Sequence, residues 1–285
     1  MHYRIQNSRL ISQAGNRESH SILIICVYND AESWGKNRTI VDFFNLIGSF
    51  NYPKEKISIT LLTSSLQEFN MVKTLFATYI HQYPRLSLIF RNDFAQAGLT
   101  RMNRHNHALQ AGRRRMLARY RNFALLSTME SWHQHVLWLD ADIIAIPADL
   151  LPKVVQSGRD IQEPMCVRMR NGKLQNYDKN AWVGRPAQSA VIQRRELCTG
   201  STECQIISQF TRQIQTICGI GFGGTMLYVR ADIHRQGVMF PTNYVIGSEW
   251  GREGYDGIET EGLCYSAHFL GYKCWGMPND VIQHV

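Results

Sequence analysis

Short apolar runs of strand length alternate with longer segments of helical length through the first half of this 285-residue chain. The apolar runs cover residues 21–30, 57–65, 85–90, 135–146 and 160–169, and the helical segments cover 37–50, 66–82 and 100–131. Such alternation is typical of β-α-β units, whose strands form a parallel sheet buried on both faces. The sequence therefore predicts an α/β fold with a mostly parallel central sheet flanked by helices.

The second half of the chain is less regular. A glycine-rich turn leads into a strand over 219–229, a long loop covers 237–257, a helix fits 260–270, and a last strand fits 272–277. No repeat or linker interrupts residues 21–285, which are therefore predicted to form a single domain. Residues 1–20 are polar and lack the apolar core of a signal peptide, so we expect them to form an N-terminal extension.

Composition narrows the classes of partner. No apolar run approaches the roughly 18 residues that a membrane helix needs, so no membrane segment is expected in this chain. The net charge of +8, from 31 basic and 23 acidic residues, favours an anionic partner such as a phosphate. Nucleic acid is disfavoured, because the basic stretch lacks interleaved aromatic residues and no nucleic-acid-binding motif is present.

The seven cysteines contain no C-x-x-C pair, which argues against a zinc ribbon. Cys26 and Cys166 lie in apolar runs and are expected to be buried thiols. Cys198, Cys204 and Cys218 lie in a polar stretch, where two of them could pair in an oxidising compartment.

Polar residues end three of the predicted strands, at Tyr28-Asn29-Asp30, Thr63-Ser64-Ser65 and Asp140-Ala141-Asp142. Ligands of parallel α/β sheets gather at the carboxyl ends of the strands, so these residues are expected to share one site. Two carboxylates in the D-x-D spacing inside an apolar run indicate a divalent cation, Mg²⁺ or Mn²⁺. The structural alternative is a pair of turn aspartates before Pro147.

Three further features are candidates for the same site. One or two of the seven arginines between residues 101 and 121 could contact a diphosphate together with Asn122, although most of these arginines are expected to face solvent. Glu259 and Glu261 could bind sugar hydroxyls or act in acid–base chemistry, or could simply suit a helix start capped by Thr260. His284 is a metal ligand only if the tail folds back to the D-x-D.

Several motifs occur together in one order along the chain. They are R-R-R-M-L-A-R-Y-R-N-F-A-L-L (113–126), V-L-W-L-D-A-D-I-I (136–144), G-F-G-G-T-M-L-Y-V-R-A-D-I-H-R (221–235), F-P (240–241), E-T-E-G (259–262), and G-M-P-N followed by His284. Together they resemble the fungal Golgi mannosyltransferases of the mannan polymerase complexes. The resemblance implies a GT-A-like nucleotide-sugar-binding domain that uses GDP-mannose and Mn²⁺ (or Mg²⁺) and extends α-mannoside acceptors with retention. It also implies a membrane-associated place in the Golgi lumen, beside related subunits.

The resemblance also implies roles for the matching residues. Asp140, Asp142 and His284 would hold the metal against the diphosphate. Arg121 and Asn122 would lie near the nucleotide sugar, with Arg121 assisting the departing GDP, and Glu259 and Glu261 would lie beside the mannose and the acceptor. Tyr28, Asn29 and Asp30 would receive the base and ribose, next to Ser64 at the end of the neighbouring strand.

The sequence departs from the family pattern in three respects. No membrane anchor is visible, Ile220 stands where an Asp commonly precedes G-x-G-G-T, and the loop 242–257 is longer than usual and lacks a His. These departures leave a second interpretation, a non-catalytic or weakly active scaffold subunit of a mannan polymerase complex. The intact D-x-D, E-T-E-G and late His favour the enzyme.

Overall fold

The computed structural model describes residues 1–104, 106–177 and 223–285, together with three short strands between residues 178 and 222. The strands are β1 (His2–Gln6), β2 (Ile22–Tyr28), β3 (Ile57–Thr63), β4 (Arg85–Phe90), β5 (His135–Leu139), β6 (Ile143–Ala145), β7 (Ile161–Arg170), β8 (Lys173–Asn176), β9 (Trp182–Gly184), β10 (Cys204–Ile206), β11 (Ile217–Gly219), β12 (Met226–Arg230) and β13 (Cys274–His284). The helices are α1 (Ser8–Ser12), α2 (Ala14–Glu18), α3 (Ile40–Gly48), α4 (Leu66–Tyr79), α5 (His107–Thr128), α6 (Leu150–Gln156), α7 (Ala231–Arg235) and α8 (Thr260–Phe269). Short 3₁₀ helices cover Ala31–Trp34 and Lys54–Lys56.

One large sheet organises the described residues, in the order β1-β4-β3-β2-β5-β12-β7-β13-β11, with β6 on β13 and β8 on β7. Strands β4, β3, β2 and β5 are mutually parallel, as are β7 and β13. Strand β12 runs antiparallel between β5 and β7 and joins the two groups. The predicted fold class, an α/β fold around a central sheet with parallel strands, is confirmed.

Helices cover both faces of this sheet. Alternate residues of β2 point to opposite sides: Ile24 belongs to a core with α3, α4 and α6, and Ile25 belongs to a core with α5, α7 and α8. Both residues are at most 1% exposed. Burial on both faces explains why β2 is continuously apolar rather than alternating.

The N-terminal segment is part of the sheet, which differs from the expected extension over residues 1–20. Strand β1 pairs antiparallel with β4, from His2 opposite Ile89 to Gln6 opposite Arg85. Its side chains alternate between exposed and half-buried positions, because β1 is an edge strand. An edge strand needs few apolar residues, so the polar composition of the segment conceals it.

Two strand boundaries differ from the sequence prediction. The predicted strand 135–146 breaks at Asp140-Ala141-Asp142, and the last strand continues to His284.

Two of the cysteines match the prediction. Cys26 and Cys166 are buried as predicted. A disulfide joins Cys264 to Cys274, whereas Cys198 and Ile220 and the side chains of Cys204 and Cys218 lie outside the described residues. Within the described part of the chain, no helix is both long enough and apolar enough to cross a bilayer.

Candidate functional site

The D-x-D motif lies where the sheet is interrupted. Strand β5 ends at Leu139, and the Asp140 N–H donates to the Thr225 carbonyl oxygen at 2.9 Å before the chain turns into β6. Since β5 is parallel to β2 and β2 to β3, the carboxyl ends of all three strands lie on one edge of the sheet. The turn thus places Asp140 and Asp142 beside the polar residues that follow β2 and β3.

A cavity of about 860 Å³ opens at this edge. Eight of the predicted site residues line it, namely Tyr28, Asn29, Asp30, Ser64, Arg121, Asp140, Asp142 and Glu259. The other three predicted residues, Asn122, Glu261 and His284, are not part of the lining. The fold therefore brings together most of the residues that are far apart in sequence.

The end of β2 is held in place by its own polar side chains. The Asn29 amide donates to Asp30 at 2.6 Å and accepts a hydrogen bond from the Ser64 hydroxyl at 2.5 Å. Asp30 caps the following 3₁₀ helix by accepting from the Glu32 N–H, and it forms an ion pair with Arg101 at 2.9 Å. These contacts fix the direction of the loop, and they place a carboxylate and an amide at the cavity wall.

Arg121 is the central cation of the site. Its side chain is 8% exposed and lies 3.1 Å from Asp140 and 3.2 Å from Glu259. Gly224 makes room for it, because a Cβ atom at that position would lie 2.7 Å from the guanidinium. Desolvation raises the pKa of Asp140 to about 7; the Arg121 charge opposes this shift, and the Asp142 carboxylate adds to it. The pocket thus contains more negative than positive charge around the D-x-D.

The tail of the chain reaches the D-x-D, as the metal hypothesis requires. His284 Nε2 lies 3.0 Å from Asp142 Oδ2, and the imidazole stacks on the Tyr177 ring at 3.7 Å. Burial works against the charged imidazole, but the hydrogen bond to Asp142 and the nearby carboxylates outweigh it and raise the pKa of His284. Strand β13 delivers this side chain because it continues beside β7 to the end of the sheet.

The donor set suits a hard divalent cation, although it is not gathered around one point. Two carboxylates and an imidazole are ligands that Mn²⁺ accepts, and the surplus of negative charge would be relieved by a cation. Asp140, however, is turned toward Arg121. Among the described residues, no group of three or more His, Cys, Asp or Glu side chains is close enough to hold a metal.

Glu259 has an unusual backbone conformation just before α8. Its φ of 64° and ψ of −130° lie in a region that residues other than glycine rarely adopt. It occupies the N-cap position, but neither its side chain nor that of Thr260 caps the helix. The conformation turns the Glu259 carboxylate toward Arg121 and the cavity. Strain of this kind is characteristic of functional sites.

Glu261, predicted to lie beside the mannose and the acceptor, is not part of the cavity lining. Its carboxylate, 16% exposed, is 2.7 Å from Arg114 Nη2. Desolvation, together with a hydrogen bond that the protonated Glu261 carboxyl donates to the Asp256 side chain, raises the pKa of Glu261 to about 8 despite the Arg114 charge. Glu261 thus lies behind the cavity wall, with its polar atoms engaged by protein groups.

The amide of Asn122, a residue predicted to lie near the nucleotide sugar, binds the protein itself. Its Nδ2 donates to the Phe240 carbonyl at 2.8 Å, and its Oδ1 accepts from the Phe240 N–H at 2.9 Å. The next carbonyl, that of Pro241, accepts a hydrogen bond from the Glu259 N–H at 2.9 Å. Asn122 therefore positions the segment that supports Glu259, rather than contacting a ligand in the cavity.

The Asn122→Ala variant tests this reassignment. Loss of both hydrogen bonds to Phe240 should lower the free energy of unfolding by about 1–3 kcal/mol, because two partly buried backbone groups lose their partners. Affinity for a ligand in the cavity should change by less than about threefold, since one lost ligand contact would cost more. Urea unfolding and nucleotide titration of the same preparation measure the two effects. A stable variant with strongly weakened nucleotide binding would contradict the assignment.

Arg113 is a cavity residue that the sequence analysis did not single out from its neighbours. It lines the cavity. No described residue forms an ion pair or hydrogen bond with it. Its neighbours Arg114 and Arg115 are paired with carboxylates. A cation without a protein partner beside a cavity is available to an anionic ligand, and the sequence contains no signal that separates it from the other two arginines.

Comparison with known protein families shows which family this chain belongs to. A family model described as Anp1 matches residues 1–244. The chain belongs to the Anp1 family. Two relatives are named as mannan polymerase complex subunits. The subunit mnn9 of Schizosaccharomyces pombe is 27% identical over 82% of this chain and 73% of its own length. MNN9 of Candida albicans is 31% identical over 64% of this chain and 52% of its own length. This Anp1-family chain therefore spans about half to three-quarters of the length of these relatives.

Solved structures confirm the fold of this Anp1-family chain. The mannosyltransferase PcManGT from Pyrobaculum calidifontis, solved in complex with GDP-Man and Mn²⁺, matches 93% of the chain and 56% of its own with a TM-score of 0.51 at 15% identity. Residues 1–349 of TarS from S. aureus match 93% of the chain and 60% of their own with a TM-score of 0.51 at 12% identity. Both have the GT-A glycosyltransferase fold, which is thus the fold of this chain.

Proposed function

We propose that this chain is a metal-dependent mannosyltransferase that moves mannose from GDP-mannose to an α-mannoside acceptor with retention of configuration. The observation that carries the proposal is the 860 Å³ cavity, where the D-x-D, Arg121 and Glu259 meet the polar ends of β2 and β3. Two relatives are named as mannan polymerase complex subunits, and a mannosyltransferase of the same fold was solved with GDP-Man and Mn²⁺. Both facts support this choice of donor and metal.

The cavity provides separate groups for the parts of a nucleotide sugar. Asn29, Asp30 and Ser64 present amide, carboxylate and hydroxyl groups for the base and ribose, with the Tyr28 ring beside them. Arg113 and Arg121 also line the cavity, and a guanidinium group can bind two phosphate oxygens at once. These cations favour the diphosphate in the ground state and stabilise the charge that develops on it as it leaves.

The metal would be held by Asp140, Asp142 and His284, and it would supply Lewis-acid stabilisation of the departing diphosphate. His284 and Asp142 are already in contact, and a metal held by both would replace the proton that His284 Nε2 shares with Asp142 Oδ2. Asp140 contributes a second carboxylate from the same turn. Arg121 holds Asp140 and Glu259 together at the centre of the site.

Glu259 is the acidic group best placed for the sugar. It lines the cavity, and its side chain is 10% exposed. A carboxylate there can accept hydrogen bonds from hydroxyl groups of the mannose or the acceptor, and so hold C1 and the attacking oxygen in a productive orientation. The proposed setting is the Golgi lumen, in association with the membrane. Related subunits are the proposed partners, because the relatives are named as subunits of mannan polymerase complexes.

A transfer assay tests the proposal. We expect the purified chain to convert GDP-mannose and a short α-mannoside into a lengthened product in the presence of Mn²⁺, with the α anomer seen by NMR. UDP-sugars should not serve as donors. If the folded chain binds GDP but transfers nothing, alone or with a related subunit, the scaffold role replaces the enzymatic one.

A further inference from the structure

A continuous series of charged side chains runs from the D-x-D to the loop before α8. The series runs Asp140, Arg121, Glu259, Arg114, Glu261 and Asp256. The cavity lining includes its first three members and excludes its last three. The proposed function gives a role to Asp140, Arg121 and Glu259, but it gives none to Arg114.

We propose that Arg114 is a positioning residue that holds Glu259 in its strained conformation, and so keeps the Glu259 carboxylate directed at Arg121 and the sugar. This inference rests on the proposed function for what Glu259 does. It rests on the contacts of Arg114 alone for how Glu259 is held.

Arg114 contacts the chain on both sides of Glu259. Its Nη2 donates to the Ile258 carbonyl oxygen at 2.5 Å and lies 2.7 Å from Glu261 Oε2, and its Nε lies 3.9 Å from Glu259 Oε2. Its side chain is 12% exposed. One guanidinium therefore binds the residue before Glu259, the residue two positions after it, and the Glu259 carboxylate itself.

The backbone around Glu259 needs such a restraint. A residue with a side chain at φ 64° and ψ −130° relaxes to an ordinary conformation unless its surroundings prevent it. The Glu259 N–H is held by Pro241, and its carbonyl accepts from the Leu263 N–H at 3.1 Å, which fixes the two ends of the peptide. Arg114 adds contacts from α5, a long helix packed on the sheet, so that the restraint has a rigid base.

The last two members of the series, Glu261 and Asp256, connect the start of α8 to the loop that precedes it. Asp256 shares a hydrogen bond with Glu261, and its backbone carbonyl accepts from the Ile246 N–H at 3.0 Å. The turn is also closely packed, because a Cβ atom at Gly262 would lie 1.7 Å from the Gly257 carbonyl oxygen. This packing explains the glycine of E-T-E-G: Gly262 lets the first turn of α8 rest against the loop while Arg114 binds Glu261.

Arg114 lies behind the cavity wall, and this position distinguishes it from Arg113. Arg113 lines the cavity and Arg114 does not. Loss of Arg114 should therefore change the orientation of Glu259 without removing a ligand of the nucleotide. Arg115 is a matched control, because it pairs with Glu253 in the same loop and forms no ion pair with Glu259 or Glu261.

The experiment compares Arg114→Met with Arg115→Met in the full chain. For Arg114→Met we expect kcat for mannosyl transfer to fall at least tenfold, while the dissociation constant for GDP with Mn²⁺ stays within threefold of the wild-type value. Amide hydrogen exchange of residues 257–264 should accelerate at least tenfold in the same variant. Arg115→Met should leave all three quantities within threefold of wild type.

A second variant keeps the test decisive if Arg114→Met folds poorly. Arg114→Lys retains the charge but cannot bind Ile258, Glu259 and Glu261 together, and should show the same loss of kcat with a smaller change in melting temperature. Unchanged exchange at 257–264 in a folded variant would overturn the positioning role, whatever the activity. If wild type transfers no mannose, the proposed function fails, and the exchange measurement still decides whether Arg114 holds this turn.

Discussion

Asp142→Ala is expected to lower mannosyl transfer at least about 100-fold while leaving the fold intact, the scale of loss when a principal electrostatic group is removed from an active site. Asp142 faces the cavity with its side chain 31% exposed, in contact with His284. Its loss removes a proposed metal ligand but no part of either apolar core. Transfer rates and melting curves of the purified variant, beside wild type, measure the two effects.

Asp149→Ala is a suitable control for this variant. Asp149 is an exposed carboxylate at the start of α6 and makes no side-chain capping bond. It should retain wild-type transfer within twofold. Transfer by Asp142→Ala at a tenth of the wild-type rate or more would show that the D-x-D does not carry the chemistry.

Arg121→Met is expected to produce the largest loss of stability. The substitution leaves the Asp140 and Glu259 carboxylates close together without the cation between them. Removal of one partner from a buried ion pair costs about 3–5 kcal/mol, and the partial exposure of Asp140 favours the lower end of this range. A loss of about 3 kcal/mol corresponds to a melting temperature lowered by about 6–12 °C.

A double variant distinguishes this cause from lost packing. Arg121→Met combined with Glu259→Gln removes one of the two unpaired charges, and should recover part of the lost stability if repulsion is the reason for it. If Arg121→Met melts within about 1 °C of wild type, the carboxylates are not held together by this arginine. In that case the electrostatic account of the site is wrong.

The fold and the mouth of the cavity could be predicted because both follow from local sequence patterns. Buried parallel strands are rich in apolar residues, and helices cover both of their faces, so β2, β3, β4 and β5 stand out as runs between helical segments. Polar residues at the ends of such strands must share one edge of the sheet. This geometry explains why Tyr28, Ser64 and Asp140 line the same cavity.

The partners of individual side chains could not be predicted in the same way. Asn122 and Glu261 carry the polar groups that a ligand site needs, yet Phe240 and Arg114 engage them instead. Which arginine of three in a row faces the cavity depends on how α5 is rotated against the sheet. The positive φ of Glu259 is set by tertiary contacts on both sides of the turn, and no residue in E-T-E-G predicts it.

The most direct test of the proposed nucleotide site is a calorimetric titration of the purified chain with GDP and, separately, with UDP, each with and without Mn²⁺. The account predicts GDP binding that requires Mn²⁺, is at least tenfold tighter than UDP binding, and is lost in Asp140→Ala. Failure of the folded chain to bind either nucleotide, with Mn²⁺ present, would contradict the assignment of this cavity to a nucleotide sugar.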